Sequence, residues 1–157
     1  MTRDPILILD DDTAILMALQ ETVKAEGYSY FATTKASEAL DAVRQKQFAI
    51  VISDQRMAEM PGIQFLSKVK QIQPFCVRIL ITGVLTSEMF LEAINTAEVS
   101  HCLPKPWTQQ TLLKTIQDSY EAFERNIAYP RAIQSLRDIN RQLIEENNQL
   151  RRSQKWL

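Results

Sequence analysis

The chain predicts an α/β fold: a five-stranded parallel sheet, doubly wound, with a long α-helix at its C-terminal end. Three observations lead there. Four apolar, β-branched runs, Ile6–Leu9, Phe48–Ser53, Val77–Ile81 and Val99–Leu103, show little polar alternation. Strands buried on both faces look like this, and they belong to parallel sheets covered by helices. Amphipathic segments alternate with the runs, as crossover helices must, and right-handed crossovers place them on both faces. Each run also ends in a chemistry-bearing residue: Asp10-Asp11-Asp12, Asp54, Thr82 and Lys105. In an open parallel sheet, ligands bind beyond the carboxyl ends of the strands.

The elements follow in order. After the first strand, Thr13–Glu26 places Ile15, Leu16, Leu19 and Val23 on one helical face, with Gly27 in the stop position. Tyr28–Ala32 reads as a short second strand. Lys35–Gln47 carries Ala36, Leu40 and Val43 at helical spacing. The third strand reaches Asp54, and a loop with Met60-Pro61-Gly62 leads into Ile63–Gln73, whose Phe65, Leu66 and Val69 face inward. The fourth strand ends at Thr82-Gly83, and Thr86 caps a helix over Ser87–Ala97. The fifth leads to Pro104-Lys105-Pro106-Trp107. Thr108 then caps a helix from about Gln109 to Asn126.

Composition changes after Tyr129. From Pro130 to Leu157 there are six basic and three acidic residues, so this tail carries +3 and residues 1–129 carry −4 of the net −1. Pro130 disfavours helix at Tyr129 but suits the first position of a new one. Leu136, Leu143, Leu150 and Leu157 recur every seven residues. With these at d, the a positions are Ile133, Asn140, Asn147 and Gln154. Asn at a specifies register and favours parallel dimers, and Glu146 at g can meet Arg151 at e of a partner. The expected organisation is a domain over 1–128 and a coiled-coil dimerisation helix over 129–157. The competing reading is a solvated helix folded back on its own domain. The end at Leu157, in mid-heptad and without a cap, suggests truncation.

Bulk properties exclude several classes. An apolar fraction of 45% is ordinary globular usage, and no run is long enough to span a membrane. The start, Met-Thr-Arg-Asp-Pro, lacks the apolar stretch of a signal peptide. Cys76 and Cys102 read as small buried hydrophobes in a reducing cytoplasm. The charge-mixed, leucine-bearing tail is a poor match to a DNA-reading basic region, so no direct nucleic-acid binding is expected.

Carboxylates, a hydroxyl and an ammonium converging on one rim suit a divalent cation and a phosphoryl group. With that site in view, residues 5–127 resemble the receiver domain of two-component response regulators, a (βα)5 fold. The resemblance rests on Ile8-Leu9-Asp10-Asp11-Asp12, on Ser53-Asp54-Gln55-Arg56-Met57 with Met60 and Gly62, on Leu80-Ile81-Thr82-Gly83, and on Leu103-Pro104-Lys105-Pro106-Trp107. Each alone is weak; all four in order at strand ends are specific. Ile52–Met57, Thr82-Gly83, Ala93-Ile94-Asn95 and Lys105-Pro106-Trp107 are similar to receivers that precede cyclic-nucleotide-signalling or kinase outputs.

The resemblance implies Asp54 as phosphoacceptor, taking a phosphoryl group from a histidine kinase or a phosphotransfer protein. It implies Mg²⁺, held by Asp11 and Asp54 directly, by Asp10 through water, and by the backbone carbonyl of Arg56. Lys105 would give positive charge to the phosphoryl oxygens and Thr82 its hydroxyl, while Asp12 only caps the first helix. Phosphorylation would then change the surface of the fourth and fifth helices.

Departures from the family pattern carry expectations too. Many receivers have Pro where Ala58 stands, which predicts a less constrained loop after Asp54 unless Pro61 compensates. Cys102 replaces the usual aromatic residue, so a ring rotation cannot report the switch. Arg56 and Val84 flank the position of an attacking water, and Val84 cannot orient one, so slow hydrolysis is expected. His101 reads as a polar edge-strand residue, and Phe90 and Trp107 as packing residues. Two rival functions compete for the same residues. A haloacid-dehalogenase-type phosphatase would place a second Asp where Arg56 stands and would carry a cap insertion. A phosphate-independent dimerisation module should have lost Asp54, the acidic pair or Lys105. As a sensor kinase the chain would need an exposed helical histidine, and its only one, His101, lies in a strand.

Overall fold

The computed structural model describes residues 3–155. Residues up to Phe123 form one compact unit and those from Glu124 another. In the first, β1 (Ile6–Leu9), β2 (Tyr30–Thr33), β3 (Ile50–Asp54), β4 (Val77–Thr82) and β5 (His101–Pro104) pair in parallel in the order β2-β1-β3-β4-β5. Between them lie α1 (Thr13–Ala25), α2 (Ala36–Gln45), α3 (Gly62–Ile72) and α4 (Ser87–Ala97). This is the expected doubly wound sheet. β1, β3 and β4 are buried along their whole length, which is why they read as runs with little polar alternation. Alternation sends Leu7, Leu9, Val51 and Leu80 into one core with Leu40, Phe65, Leu66 and Ala93, while Ile6, Ile8, Ile50 and Ile52 point to the other face. Both cysteines are free thiols, Cys76 buried and Cys102 half-buried. Among the described residues no helix is long and apolar enough to cross a membrane.

β2, β5 and the last helix depart from the sequence reading for reasons the structure shows. β2 begins at Tyr30, not Tyr28, because the residues before it finish α1. Gly27 takes φ +77°, its N–H and that of Tyr28 bond to the Lys24 and Val23 carbonyls, and the Tyr28 ring stacks on Tyr120 at 5.2 Å. β5 begins at His101, since Val99 donates its N–H to the Ala93 carbonyl and closes α4. The last helix, α5, runs from Gln109 to Gln154 with Pro130 inside it, where a helix end near Asn126 and a fresh start at Pro130 were expected. An internal proline removes one hydrogen bond and crowds the preceding turn, at a cost of about 3 kcal/mol. No glycine or second proline lies in these 46 residues, so helix propensity on both sides carries the helix through. Leu136, Leu143 and Leu150 are exposed on it; Leu157 lies outside the described residues.

α4 is attached in an unusual way. It buries only Ala93 and Ala97, with Met89 partly buried, while Phe90, Leu91 and Ile94 are exposed. Phe90 is therefore a surface residue, not a packing one, because the face turned to α3 admits only small side chains. Trp107 is half-buried. The C-terminal end of α4 is held instead by Arg78 on β4, which is 4% exposed. Its guanidinium donates to the Ala97 carbonyl at 2.8 Å and the Cys76 carbonyl at 2.7 Å. Glu98, in the left-handed conformation at φ 47°, ion-pairs with Arg78 at 3.8 Å and Lys70 of α3 at 2.7 Å. The Lys70 hydrogen bond, joined by the charges of Lys70 and Arg78, holds the Glu98 carboxyl below its ordinary range.

Arg78→Met strands buried carbonyls that Arg78 now satisfies, each costing about 1–3 kcal/mol, so urea denaturation should show a loss of roughly 2–4 kcal/mol. Glu98→Ala removes an exposed partner and should cost a small fraction of that.

Candidate functional site

Four strand ends supply the site. Asp10 follows β1 and is 1% exposed. Its Oδ1 accepts the Asp12 N–H at 2.9 Å and its Oδ2 accepts from Lys105 Nζ at 3.3 Å. Asp12 caps α1, its side chain accepting from the N–H groups of Ala14 and Ile15. Asp11 is exposed, and its Oδ2 accepts the Ala58 N–H at 3.1 Å. Asp54 ends β3, is 6% exposed, and its Oδ1 accepts from Lys105 Nζ at 2.7 Å. One oxygen from each of Asp10, Asp11 and Asp54 lies within 4.8 Å of the others.

Lys105 follows β5 and is joined to Pro106 by a cis peptide bond. Its N–H donates to the Thr82 carbonyl at 2.9 Å, which ties it to the end of β4. Thr82 is buried, and its hydroxyl donates to the Val84 carbonyl at 2.9 Å and receives the Val84 N–H at 3.3 Å. Asp10, Asp11, Asp54 and Lys105 are thus brought together, with Thr82 beside Lys105 through the backbone. Arg56 sits in the exposed loop after β3.

Burial pushes the Asp10 carboxyl above the ordinary carboxylate range, and the Asp54 charge adds to this against the Asp12 N–H and Lys105. Burial opposes the Lys105 charge, but the hydrogen bond to Asp54 and the charges of Asp10 and Asp54 outweigh it and hold the ammonium above its usual value. Three carboxylates face one ammonium, leaving an excess of negative charge around oxygen donors alone. Such a hard donor set fits Mg²⁺, Ca²⁺ or Mn²⁺ and not a soft transition metal.

The loop after Asp54 is firmly held, contrary to the expectation from Ala58. Glu59 reaches back to α2, accepting the Ala36 N–H at 3.0 Å and the Ser37 N–H at 3.1 Å. Gln55 receives the Gly62 N–H on its carbonyl at 2.9 Å and the Ile63 N–H on its side chain at 3.0 Å. These two residues escaped the sequence reading. One signal existed: α2 begins after Lys35, whose side chain cannot cap a helix, which leaves its first N–H groups open to an acceptor from elsewhere. Gly62 packs against the backbone of Asp54, and a Cβ there would run into the Asp54 carbonyl oxygen.

Comparison with known proteins bears on the same residues. Residues 6–117 match the family model described as the response regulator receiver domain. The chain is 31% identical over 117 residues to the hydrogenase transcriptional regulatory protein HoxA of Cupriavidus necator, covering 74% of this chain and 24% of HoxA. It therefore spans about a quarter of the length of that curated relative. Among solved structures, the signal receiver domain of an HD domain-containing protein from Pseudomonas fluorescens Pf-5 superposes with a TM-score of 0.77 at 30% identity, over 82% of this chain and 95% of that one. The beryllofluoride-activated NtrC4 receiver domain dimer gives 0.71 at 26% identity, over 76% and 98%.

Gly62→Ala forces the Asp54 carbonyl or α3 to move. A loss of about 1–3 kcal/mol in urea denaturation is expected, the usual range for overpacking a tight contact.

Proposed function

The chain belongs to the response regulator receiver domain family, and on that premise we propose that Asp54 accepts a phosphoryl group from a histidine kinase or a phosphotransfer protein. The observation that supports this best is Asp54 itself: a nearly buried carboxylate, 2.7 Å from an ammonium and beside two further carboxylates. An Asp54 Oδ attacks the phosphorus, a P–O bond forms, and the P–N bond to the donor imidazole breaks. Asp10, Asp11, Asp54 and the Arg56 carbonyl would hold Mg²⁺, which when bound supplies positive charge against the incoming phosphoryl oxygens. Lys105 then moves its charge from the free carboxylate to the phosphoryl oxygens. A shallow groove of about 460 Å³ lined by Ile15, Ala18, Pro106 and Trp107 lies next to Lys105 and offers apolar surface to the donor.

Thr82 would carry the response outward. To donate to a phosphoryl oxygen its hydroxyl must release the Val84 carbonyl, so the loop entering α4 loses its anchor as the phosphate gains a donor. The face of α4 bearing Phe90, Leu91 and Ile94 shifts with it, with no ring rotation at Cys102. In this reading residues 1–128 are the switch and 129–157 a helix that pairs two chains. The protein acts in the cytoplasm on a protein partner or an output domain, not on nucleic acid, and its chemistry is self-phosphorylation with slow self-dephosphorylation.

Incubation with Mg²⁺ and acetyl phosphate should add one labile acyl phosphate, seen as a single phosphoryl mass increment. Asp54→Asn should abolish it; labelling of that variant at the parent rate overturns the assignment.

Arg56→Ala and Val84→Glu test the slow hydrolysis. Each should alter the lifetime of the acyl phosphate by more than it alters the rate of labelling, as followed by acid-quenched decay. Unchanged lifetimes in both remove these residues from the reaction.

A further inference from the structure

We infer that the C-terminal helix pairs with a second copy of this chain in parallel and in register, and that Ile139 and Ile144 form the contact that selects this arrangement. The inference rests on the proposed pairing through residues 129–157 and specifies its geometry. From Gln134 to Lys155 every residue of this stretch is exposed. Five of them are large and aliphatic: Leu136, Ile139, Leu143, Ile144 and Leu150, each more than half exposed. The heptad accounts for the three leucines at d. It leaves Ile139 at g and Ile144 at e, positions that ordinarily carry charge.

A parallel, in-register pair explains both. There, g of one helix meets the e five residues further along its partner. Ile139 meets Ile144 of the second copy, and by twofold symmetry the contact occurs twice, flanking the Asn140 layer on either side. One heptad later Glu146 meets Arg151 of the second copy, an opposite-charge pair flanking the Asn147 layer. Asn140 and Asn147 each face their own counterparts and can satisfy one another across the interface. The polar layers are thereby closed by an apolar pair and by an ion pair.

The antiparallel alternative fails at the same positions. It sets a against d, so each Asn would lie against a leucine with its amide unsatisfied. It also sets e against e and g against g. Centred on Ile144 it would place Arg137 opposite Arg151 and Ile139 opposite Glu146, a like-charge clash and an apolar–charged mismatch.

The test is a charge exchange in the full chain, read as the dimer dissociation constant by sedimentation equilibrium, with acyl-phosphate formation confirming a folded receiver. Ile139→Lys and Ile144→Glu, both on an exposed helix surface, should each weaken the dimer about tenfold or more. Ile139→Lys combined with Ile144→Glu should recover most of that loss, because every new Lys then faces a new Glu across the interface. A double variant weaker than Ile139→Lys alone overturns the parallel pairing, since in the antiparallel register the new Lys faces Glu146 while the two new Glu side chains face one another, so that adding Ile144→Glu only weakens the dimer; the dimer itself is left standing. Single variants as tight as the parent overturn the role of the two isoleucines. A parent chain that is monomeric throughout overturns the pairing on which the inference rests.

Discussion

Lys105 is the cation that allows this sheet to end as it does. Two carboxylates from neighbouring strands, Asp10 and Asp54, are almost wholly removed from water, and a third, Asp11, stands within 4.8 Å of both. Unit charges 4 Å apart repel by about 4 kcal/mol at the effective dielectric of a protein surface, so the cluster opposes its own assembly. The ammonium reaches from the end of β5 to both buried carboxylates. It spans four of the five strands to do so, since β4 and β3 lie between it and β1. The parallel register places every strand end on one rim, and the apolar runs supply the burial that outweighs the crowding. A pair this desolvated is no strong source of stability. What it confers is a carboxylate held ready, its counter-charge already in place.

Around that centre the loops are fixed by side chains that accept hydrogen bonds from backbone N–H groups. Asp11 holds the Ala58 N–H, Glu59 holds the start of α2, and Gln55 holds the start of α3. The segment after the phosphoacceptor candidate is thus tied at both ends and in the middle without a proline at 58. Gly62 lets α3 begin directly against the Asp54 backbone, which no other residue permits. On the opposite side Thr82 is engaged twice, its carbonyl by Lys105 and its hydroxyl by Val84. The two halves of the rim differ in kind. One is clamped, and the other hangs on a single hydroxyl that has another possible partner.

Much of this was legible in the residues. Strands buried on both faces announce themselves as apolar runs, because no solvent-facing position interrupts them. Their ends could be read as well, since a carboxylate or lysine stops such a run abruptly. What escaped depends on contacts far apart in the chain. Glu59 is 22 and 23 residues from the N–H groups it caps, and nothing near it hints at them. Phe90 looked like core because an aromatic residue at helical spacing usually is. Only the narrow gap between α3 and α4, filled by Ala93 and Ala97, shows that it faces out. Tyr28 reads as strand until Gly27 is seen turning the chain one step earlier. Pro130 reads as a boundary because local sterics favour one, whereas the propensity of its neighbours on both sides prevails.

The alanine face of α4 has a consequence for how such a protein can diversify. Ala93 and Ala97 fill the buried interface, and Arg78 secures the helix end, while Phe90, Leu91 and Ile94 leave 40–57% of their surface in water. Substitutions at those three positions change what the molecule displays and leave the Ala93–Ala97 contact and the Arg78 anchor in place. Exposed surface and buried packing are written on different residues of the same helix. The exposed face can therefore vary in sequence while the buried carboxylates and their lysine stay unchanged.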